Sequence, residues 1–169
     1  INAIYFPDSI TTIGRYAFED CVSLTKFNVP AGTKKIDVEA FRNCTGLTDI
    51  TIPTSVERIE GEAFRNCTAL TSCYVFANKI GFGNDIFKDH KEGRRPEDLV
   101  VYAAMTSSMV KYAIENRVCV KLIADDANQS RITKAGVSYL GFNPQSAIYK
   151  GYLEFNAQYE LVDNIPEDV

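Results

Sequence analysis

The sequence predicts an α/β fold: a short right-handed solenoid in which 23-residue units stack and place a parallel sheet on the concave side. Three observations support it: a segment that recurs with a fixed period, a short apolar stretch within each copy, and a proline after each stretch. A unit of this size cannot bury its apolar face alone, so neighbouring units must stack to close a common core.

The repeated segment has the pattern Ala-Phe-x-x-Cys-x-x-Leu and occurs at residues 17–24, 40–47 and 63–70. Several aligned copies that share this many positions define an internal repeat, which predicts one coil of the solenoid for each copy. Other residues keep the same step of 23, namely Pro7, Pro30 and Pro53, and Ile13, Ile36 and Ile59.

Each copy also contains a Leu-x-x-apolar-x-apolar stretch, which predicts one short strand. Alternate residues of a strand point to the same side, and a following proline ends the strand because it cannot donate the next ladder hydrogen bond. The Ala-Phe segment before each cysteine predicts one helical turn on the opposite side. The inward strand residues are Leu24, Phe27 and Val29, then Leu47, Ile50 and Ile52, then Leu70, Cys73 and Val75.

A fourth, degenerate copy follows, in which Phe87 lies 23 residues after Phe64. Its strand is predicted at residues 99–102, about three residues later than the period requires. The additional residues lie in the charged segment 88–98, and insertions in solenoids occur in loops. We therefore predict a surface loop there.

The copies resemble the BspA-like leucine-rich repeats, whose consensus is approximately IP-x-SV-x-x-I-x-x-x-AF-x-x-C-x-x-L. Residues 52–70 show this consensus as IPTSVERIEGEAFRNCTAL. The resemblance covers Ile4 to about Ile123 and implies a leucine-rich-repeat fold. It also implies a secreted or surface-displayed protein, typically bacterial, of a kind that binds host matrix proteins or other cells. The family shares no functional residue that can be transferred to this chain.

A helix and a strand are predicted to close the stack. Residues 106–116 have a helical pattern, with Thr106 or Ser107 as the N-cap and Asn116 as the stop. Residues 118–123 have a strand pattern. An open end would expose core and strand edge, so we expect the helix and strand to cover it.

The domain organisation follows from this cap. We place the solenoid at residues 1–123, a polar linker at 124–130, and a small β-rich appendage, or the start of a further domain, at 131–169. In the appendage, residues 147–162 alternate between apolar and polar, and 137–142 are a candidate partner strand. A helix in part of 155–162 is an alternative.

Composition and charge exclude several classes of protein. Hydrophobic residues make up 46 % and charged residues 24 % of the chain, which is ordinary for a globular protein. There is no run of about 18 apolar residues and no recognisable secretion leader. Residues 1–123 have 15 Lys and Arg against 15 Asp and Glu, while 124–169 have 3 against 7. A neutral body offers no basic stripe for nucleic acid.

We expect no catalytic, metal or cofactor site. Cys67 and His90 lie at equivalent positions of adjacent copies, and a Cys–His pair can form a thiol nucleophile. The simpler interpretation is an inward column of small buried thiols, formed by Cys21, Cys44 and Cys67, because a reactive cysteine needs an exposed setting. We expect these cysteines to be free thiols, and the sequence shows no phosphate-binding glycine loop or serine-nucleophile motif.

The concave sheet is the predicted binding surface. Tyrosines among polar groups suit protein recognition, although β-propensity alone also favours tyrosine and threonine in strands. A second candidate is the loop, with His90, Lys91, Arg94 and Arg95, although a solvated turn of mixed charge is the simpler and better account of these residues. The outward strand residues are Tyr5, Lys26, Asn28, Asp49, Thr51, Ser72, Tyr74 and Val100.

Together with these observations, the resemblance implies a non-catalytic extracellular or cell-surface module of the adhesion type, which we expect to bind a protein or cell-surface partner through its concave sheet and the 88–98 loop. The alternative is an accessory or spacer domain of a larger secreted enzyme. The sequence predicts no cofactor, no nucleic-acid partner and no membrane span.

Overall fold

The computed structural model describes residues 6–7, 9–88, 99–104, 106–116, 118–123 and 161–162. Within them the chain forms a stack of about four coils joined by two parallel sheets, with one short helix. We call the sheet of longer strands the long sheet and the sheet of two-residue strands the short sheet. The predicted short repeat solenoid is confirmed.

The long sheet is the sheet that the sequence predicts. Its strands are β2 (Lys26–Asn28), β4 (Asp49–Ile52), β6 (Ser72–Val75), β8 (Val100–Ala104), β9 (Cys119–Ile123) and β10 (Leu161–Val162). They lie in the order β10-β9-β8-β6-β4-β2, and every pair is parallel. The inward residues of its first three strands include Phe27, Ile50 and Cys73, which are buried.

The short sheet was not predicted as a sheet. Its strands are β1 (Thr12–Ile13), β3 (Lys35–Ile36), β5 (Arg58–Ile59) and β7 (Gly81–Phe82), which pair in parallel in the order β1-β3-β5-β7. The recurring isoleucines are the inward residue of each of the first three strands, and all three are buried. The column of isoleucines therefore marks a second parallel sheet, whose inward residues share one core with those of the long sheet.

The segment between the sheets consists of hydrogen-bonded turns, so the predicted helical turn is wrong. The Ala40 N–H donates to Asp37 of its own coil (3.2 Å), whereas the Phe41 N–H donates to Ala63 of the next coil (2.8 Å). A helix would use its N–H groups within its own coil, and here alternate N–H groups hold the next coil instead. The backbone φ is left-handed at Tyr16, Asp20, Glu39, Asn43, Glu62, Asn66 and Asp85.

A stack of phenylalanine rings runs through the core beside these turns. The ring centroids of Phe18 and Phe41 are 5.0 Å apart, those of Phe41 and Phe64 are 5.4 Å apart, and those of Phe64 and Phe87 are 5.6 Å apart. Offset-stacked rings contribute about 0.5–1.5 kcal/mol per pair beyond their burial. The recurring phenylalanine thus joins each coil to the next.

Asparagine and aspartate side chains of successive turns are joined by hydrogen bonds, and we call this series the amide ladder. Asn43 Nδ2 donates to Asp20 Oδ1 (2.8 Å), and Asn66 Nδ2 donates to Asn43 Oδ1 (2.9 Å). All three residues have left-handed φ, a region that asparagine and aspartate tolerate better than most residues. The recurring Asp or Asn before each cysteine is explained by backbone conformation and coil-to-coil bonding together.

The insertion in the fourth coil is longer than predicted. The register pairs Cys73 with Ile50, 23 residues earlier, but pairs Val101 with Cys73, 28 residues earlier. The insertion therefore amounts to five residues and not three. The strand pattern alone gave the approximate position of β8 but not its partner in β6.

The predicted end cap is present as helix α1 (Ser108–Glu115) followed by β9. The Ser107 side chain is the N-cap and accepts from the Met109 N–H (3.2 Å), and Asn116 is the C-cap. Predictions for residues 124–160 and 163–169 lie outside the described residues, and the domain boundaries stay predictions.

Candidate functional site

The outward side of the long sheet brings together most of the predicted binding residues, and we call it the outer face. The strand register aligns its side chains in two rows that cross five strands. The first row contains Lys26, Asp49, Ser72, Val100 and Cys119, and the second contains Asn28, Thr51, Tyr74, Tyr102 and Lys121. Neighbours within a row are one strand spacing apart, about 4.8 Å.

The outer face changes in character from one end to the other. At the β2 end, Lys26 and Asn28 are exposed, and Asp49 and Thr51 are half-buried. The Thr48 hydroxyl lies 2.6 Å from Asp49 Oδ2, which fixes this carboxylate on the surface. This end of the face presents an ammonium, a carboxylate, an amide and a hydroxyl group.

Further along the outer face, on β6 and β8, two tyrosine rings stack. The centroids of Tyr74 and Tyr102 are 4.6 Å apart and their planes differ by 16°. Tyr74 is only 6 % exposed, so the expectation that its ring is an exposed contact surface is wrong. The half-buried Tyr102 was missed, although its alternation with Val100 places it on the same side of β8.

The remaining predicted binding residues lie outside the described residues. They are Tyr5 and the loop residues His90, Lys91, Arg94 and Arg95. The loop site therefore stays a prediction from sequence.

The cysteine column is a structural feature of the core. Cys44 and Cys67 are buried, and their Sγ atoms donate to the carbonyl oxygens of Phe18 (3.0 Å) and Phe41 (3.1 Å) in the preceding coil. All five cysteines are free thiols. Burial raises the pKa of the Cys73 thiol to about 12. A reactive cysteine needs an exposed thiolate, so Cys67 does not have the setting of a nucleophile.

The part of the chain that the structure describes has no group of three or more His, Cys, Asp or Glu side chains that could hold a metal ion. None of its helices has the length and apolar composition needed to cross a bilayer.

Ion pairs connect successive coils on the turn side. Arg42 lies 3.4 Å from both Glu19 and Glu39, in the preceding coil and in its own coil. Arg65 lies 3.5 Å from Glu39 and also pairs with Glu62 of its own coil. Each arginine therefore joins carboxylates of two coils. Such partly exposed pairs gain most when they form a network, as they do here.

Asp37, Glu60 and Glu62, beside the short sheet, have lowered pKa values. For Glu60 the hydrogen bond from Arg58 lowers the pKa. For Glu62 burial raises the pKa, but hydrogen bonds from Arg65 and Lys88 outweigh it, so the net shift is downward. For Asp37 the hydrogen bond from the Val38 N–H lowers the pKa. All three side chains are thus stabilised as anions in the folded state.

We expect the fold to lose stability in acid. A carboxylate with a lowered folded-state pKa stabilises the protein above its unfolded pKa, about 4, and this contribution disappears as the pH falls through the folded value. The urea midpoint should change little between about pH 7 and pH 5 through these groups and fall between about pH 4 and pH 2. Glu62→Gln should reduce the midpoint at neutral pH and make the acid-induced fall smaller; an equally steep fall in this variant would contradict the assignment.

A stack of short parallel strands with one polar and aromatic outward face defines a repeat solenoid, a class whose extended surfaces serve binding. The chain belongs to the BspA-type leucine-rich repeat family: the model of the BspA type Leucine rich repeat region (6 copies) matches residues 1–92. No curated protein and no solved structure matches the chain significantly. Repeats of this family are generally non-catalytic and suggest a protein-interaction module.

Proposed function

We propose that this chain is a non-catalytic interaction module of the adhesion type, which binds a protein or cell-surface partner through the outer face of the long sheet. The observation that supports the proposal most strongly is the pair of register-aligned rows on that face. They place groups of several chemical types on one continuous surface, as protein-binding surfaces require.

The inner and outer sides of the long sheet differ sharply. On the inner side Ile50, Cys73, Val101 and Val120 are all fully buried. On the outer side the corresponding rows are mostly half-buried or exposed, and they hold both charges, amide and hydroxyl groups, and the half-buried ring of Tyr102, which stacks on the buried Tyr74. Tyrosine provides contact area at low entropic cost, and hydroxyl and amide groups provide adaptable hydrogen bonds. This contrast supports the outer side as the face that a partner contacts.

The place of action is part of the proposal. BspA-type repeats are typical of secreted or surface-displayed bacterial proteins, which supports an extracellular or cell-surface location. Host matrix proteins and the surfaces of other cells are accordingly the partners to test first. The 88–98 loop, with His90, Lys91, Arg94 and Arg95, is proposed as a second contact region on the basis of its sequence alone.

The test is a binding screen of the protein against matrix proteins, cell surfaces and polysaccharides, with two variants in parallel. The outer-face variant is Lys26→Ala/Asn28→Ala/Thr51→Ala. The control, Thr12→Ala/Lys34→Ala/Thr54→Ala, removes similar side chains away from this face. For a bound partner, we expect the outer-face variant to bind at least about tenfold more weakly and the control to bind within about twofold of the unchanged protein.

Both variants should retain the circular dichroism spectrum and urea midpoint of the unchanged protein, because none of the six side chains is buried. An equal loss in the control, or full binding by the outer-face variant, would contradict the assignment to this face. Binding to none of the targets would favour the alternative of an accessory or spacer domain.

A further inference from the structure

The short sheet ends in an unpaired strand edge at β7, since the order of its described strands is β1-β3-β5-β7. In a parallel ladder, alternate residues bond to the neighbours on opposite sides. The N–H groups of Gly81 and Gly83 donate back to Glu57 (2.9 Å) and Ile59 (2.8 Å). The N–H and C=O of Phe82, between them, therefore point to the side where no described strand lies.

The earlier coils show what these groups normally bind. The Ile36 carbonyl, which is equivalent to the Phe82 carbonyl, accepts from the Glu60 N–H of the next coil (2.9 Å). The Glu39 N–H, which is equivalent to the Asp85 N–H, donates to Gly61 of the next coil (3.3 Å). In the fourth coil no described backbone group fills these two roles. The Phe82 carbonyl, the Phe82 N–H and the Asp85 N–H are thus one acceptor and two donors. They have the arrangement that pairs with a following coil in the earlier part of the stack.

Helix α1 does not fill this position but stands beside it, held at two points. The Ser108 hydroxyl bonds to the N–H and C=O of Ile80 (2.8 and 2.9 Å), and the Tyr112 hydroxyl accepts from the Ile86 N–H (3.0 Å). Between these anchors lies an open cleft of about 530 Å³. Residues 82–85 form one wall, and Lys111, Tyr112 and Glu115 form the other.

We propose that this cleft binds an extended peptide, which adds to β7 as a further parallel strand. The Phe82 N–H donates to a carbonyl of the peptide, and the Phe82 carbonyl accepts from an N–H of the peptide. The Asp85 N–H donates to a second peptide carbonyl, further toward the C-terminus of the peptide. Peptide addition to a free strand edge is an established mode of recognition, and main-chain hydrogen bonds supply its affinity. This site lies on the other sheet and does not depend on the outer face.

A polypeptide is the ligand that fits these groups. Its backbone alternates donors and acceptors at the spacing that the first three coils already use at the equivalent positions. The side chains around the cleft have both signs of charge, with Asp85 and Glu115 against Lys111, so they do not select a strongly charged ligand. Recognition therefore rests on backbone pairing and on the shape of the cleft.

The cleft also sets a size limit on one ligand residue. The Tyr112 ring lies 4.5 Å from the Phe82 ring and occupies the apolar position above it. In the earlier coils this position belongs to the next inward residue, as Ile59 covers Ile36 in the register. A ligand strand therefore needs glycine or alanine at its inward position, where the coils of the protein have isoleucine.

The test uses a synthetic peptide with the sequence of residues 56–62, Val-Glu-Arg-Ile-Glu-Gly-Glu, in which alanine replaces the isoleucine. It is titrated into the isotope-labelled full chain and followed by amide chemical shifts. We expect saturable shifts at Phe82 and Asp85, and tighter binding than for the same peptide with isoleucine. The triple outer-face variant should bind it as the unchanged protein does, which separates this site from the proposed function.

Two N-methylated peptides make the test independent of any change in the protein. Methylation of the amide equivalent to Glu60 removes the hydrogen bond to the Phe82 carbonyl and should weaken binding about tenfold. Methylation of the amide equivalent to Ile59, which points away from β7, should change binding by less than about twofold. The absence of shifts at Phe82 and Asp85 at millimolar peptide, shifts confined to other regions, or equal affinities of the two methylated peptides would overturn the proposal.

Discussion

Replacement of Phe41 by alanine is expected to lower the free energy of unfolding by about 3–5 kcal/mol. The Phe41 side chain is fully buried, and its ring lies between those of Phe18 and Phe64 and 4.9 Å from that of Phe27. Truncation removes the burial of a large side chain and leaves a cavity at the point where three coils meet. The neighbouring rings cannot close this cavity, because the hydrogen bonds between coils fix the coil spacing.

Urea denaturation of Phe41→Ala and of a matched surface change measures this effect. The control is Val22→Ala, since Val22 is 56 % exposed, and it should cost less than about 0.5 kcal/mol. Because solenoid coils interact mainly with their neighbours, amide exchange in the second and third coils should accelerate more than in β9. A loss below about 1 kcal/mol would mean that the rings do not form a continuous packed column.

The positions of the strands, and of the recurring phenylalanines, isoleucines and cysteines, could be predicted from the sequence. A fixed period and simple alternation determine them. The turn segment could not be predicted correctly from the same pattern. Alanine, phenylalanine and glutamate are all compatible with a helix, but the chain turns at left-handed residues, which include Glu39 and Asn43 in one coil and Glu62 and Asn66 in the next. Their recurrence was visible in the sequence, but it indicates a turn only once it is read as a backbone conformation.

The residues of the outer face could likewise be predicted only in part from the sequence. Alternation within β2 and β4 is sufficient to place Lys26, Asn28 and Thr51 on one side of the sheet, where the register aligns them. The stack of Tyr74 on Tyr102 depends on the length of an insertion, and no local pattern fixes how many residues a loop contains. Contacts across the insertion therefore required the structure.

Replacement of Asn43 by alanine should produce the second large effect, a loss of about 2–3 kcal/mol in the free energy of unfolding. Asn43 donates to Asp20 and accepts from Asn66, so alanine breaks two ladder hydrogen bonds at once. Its φ of 60° is also less favourable for alanine than for asparagine. The turn cannot move to restore the hydrogen bonds or to change this φ, because its alternate N–H groups are bound to the next coil.

Glycine at the same position separates the two contributions. Asn43→Gly breaks the same hydrogen bonds but keeps a residue that adopts positive φ freely, so urea denaturation should show it to be more stable than Asn43→Ala by about 1 kcal/mol. Equal stabilities would mean that the turn relaxes out of the left-handed region, and the backbone explanation would fail. In the double variant Asn43→Ala/Asn66→Ala, the bond between the two amides is lost only once. The double variant should therefore lose less free energy of unfolding than the two single variants lose together. Such non-additivity shows that the ladder acts as one unit.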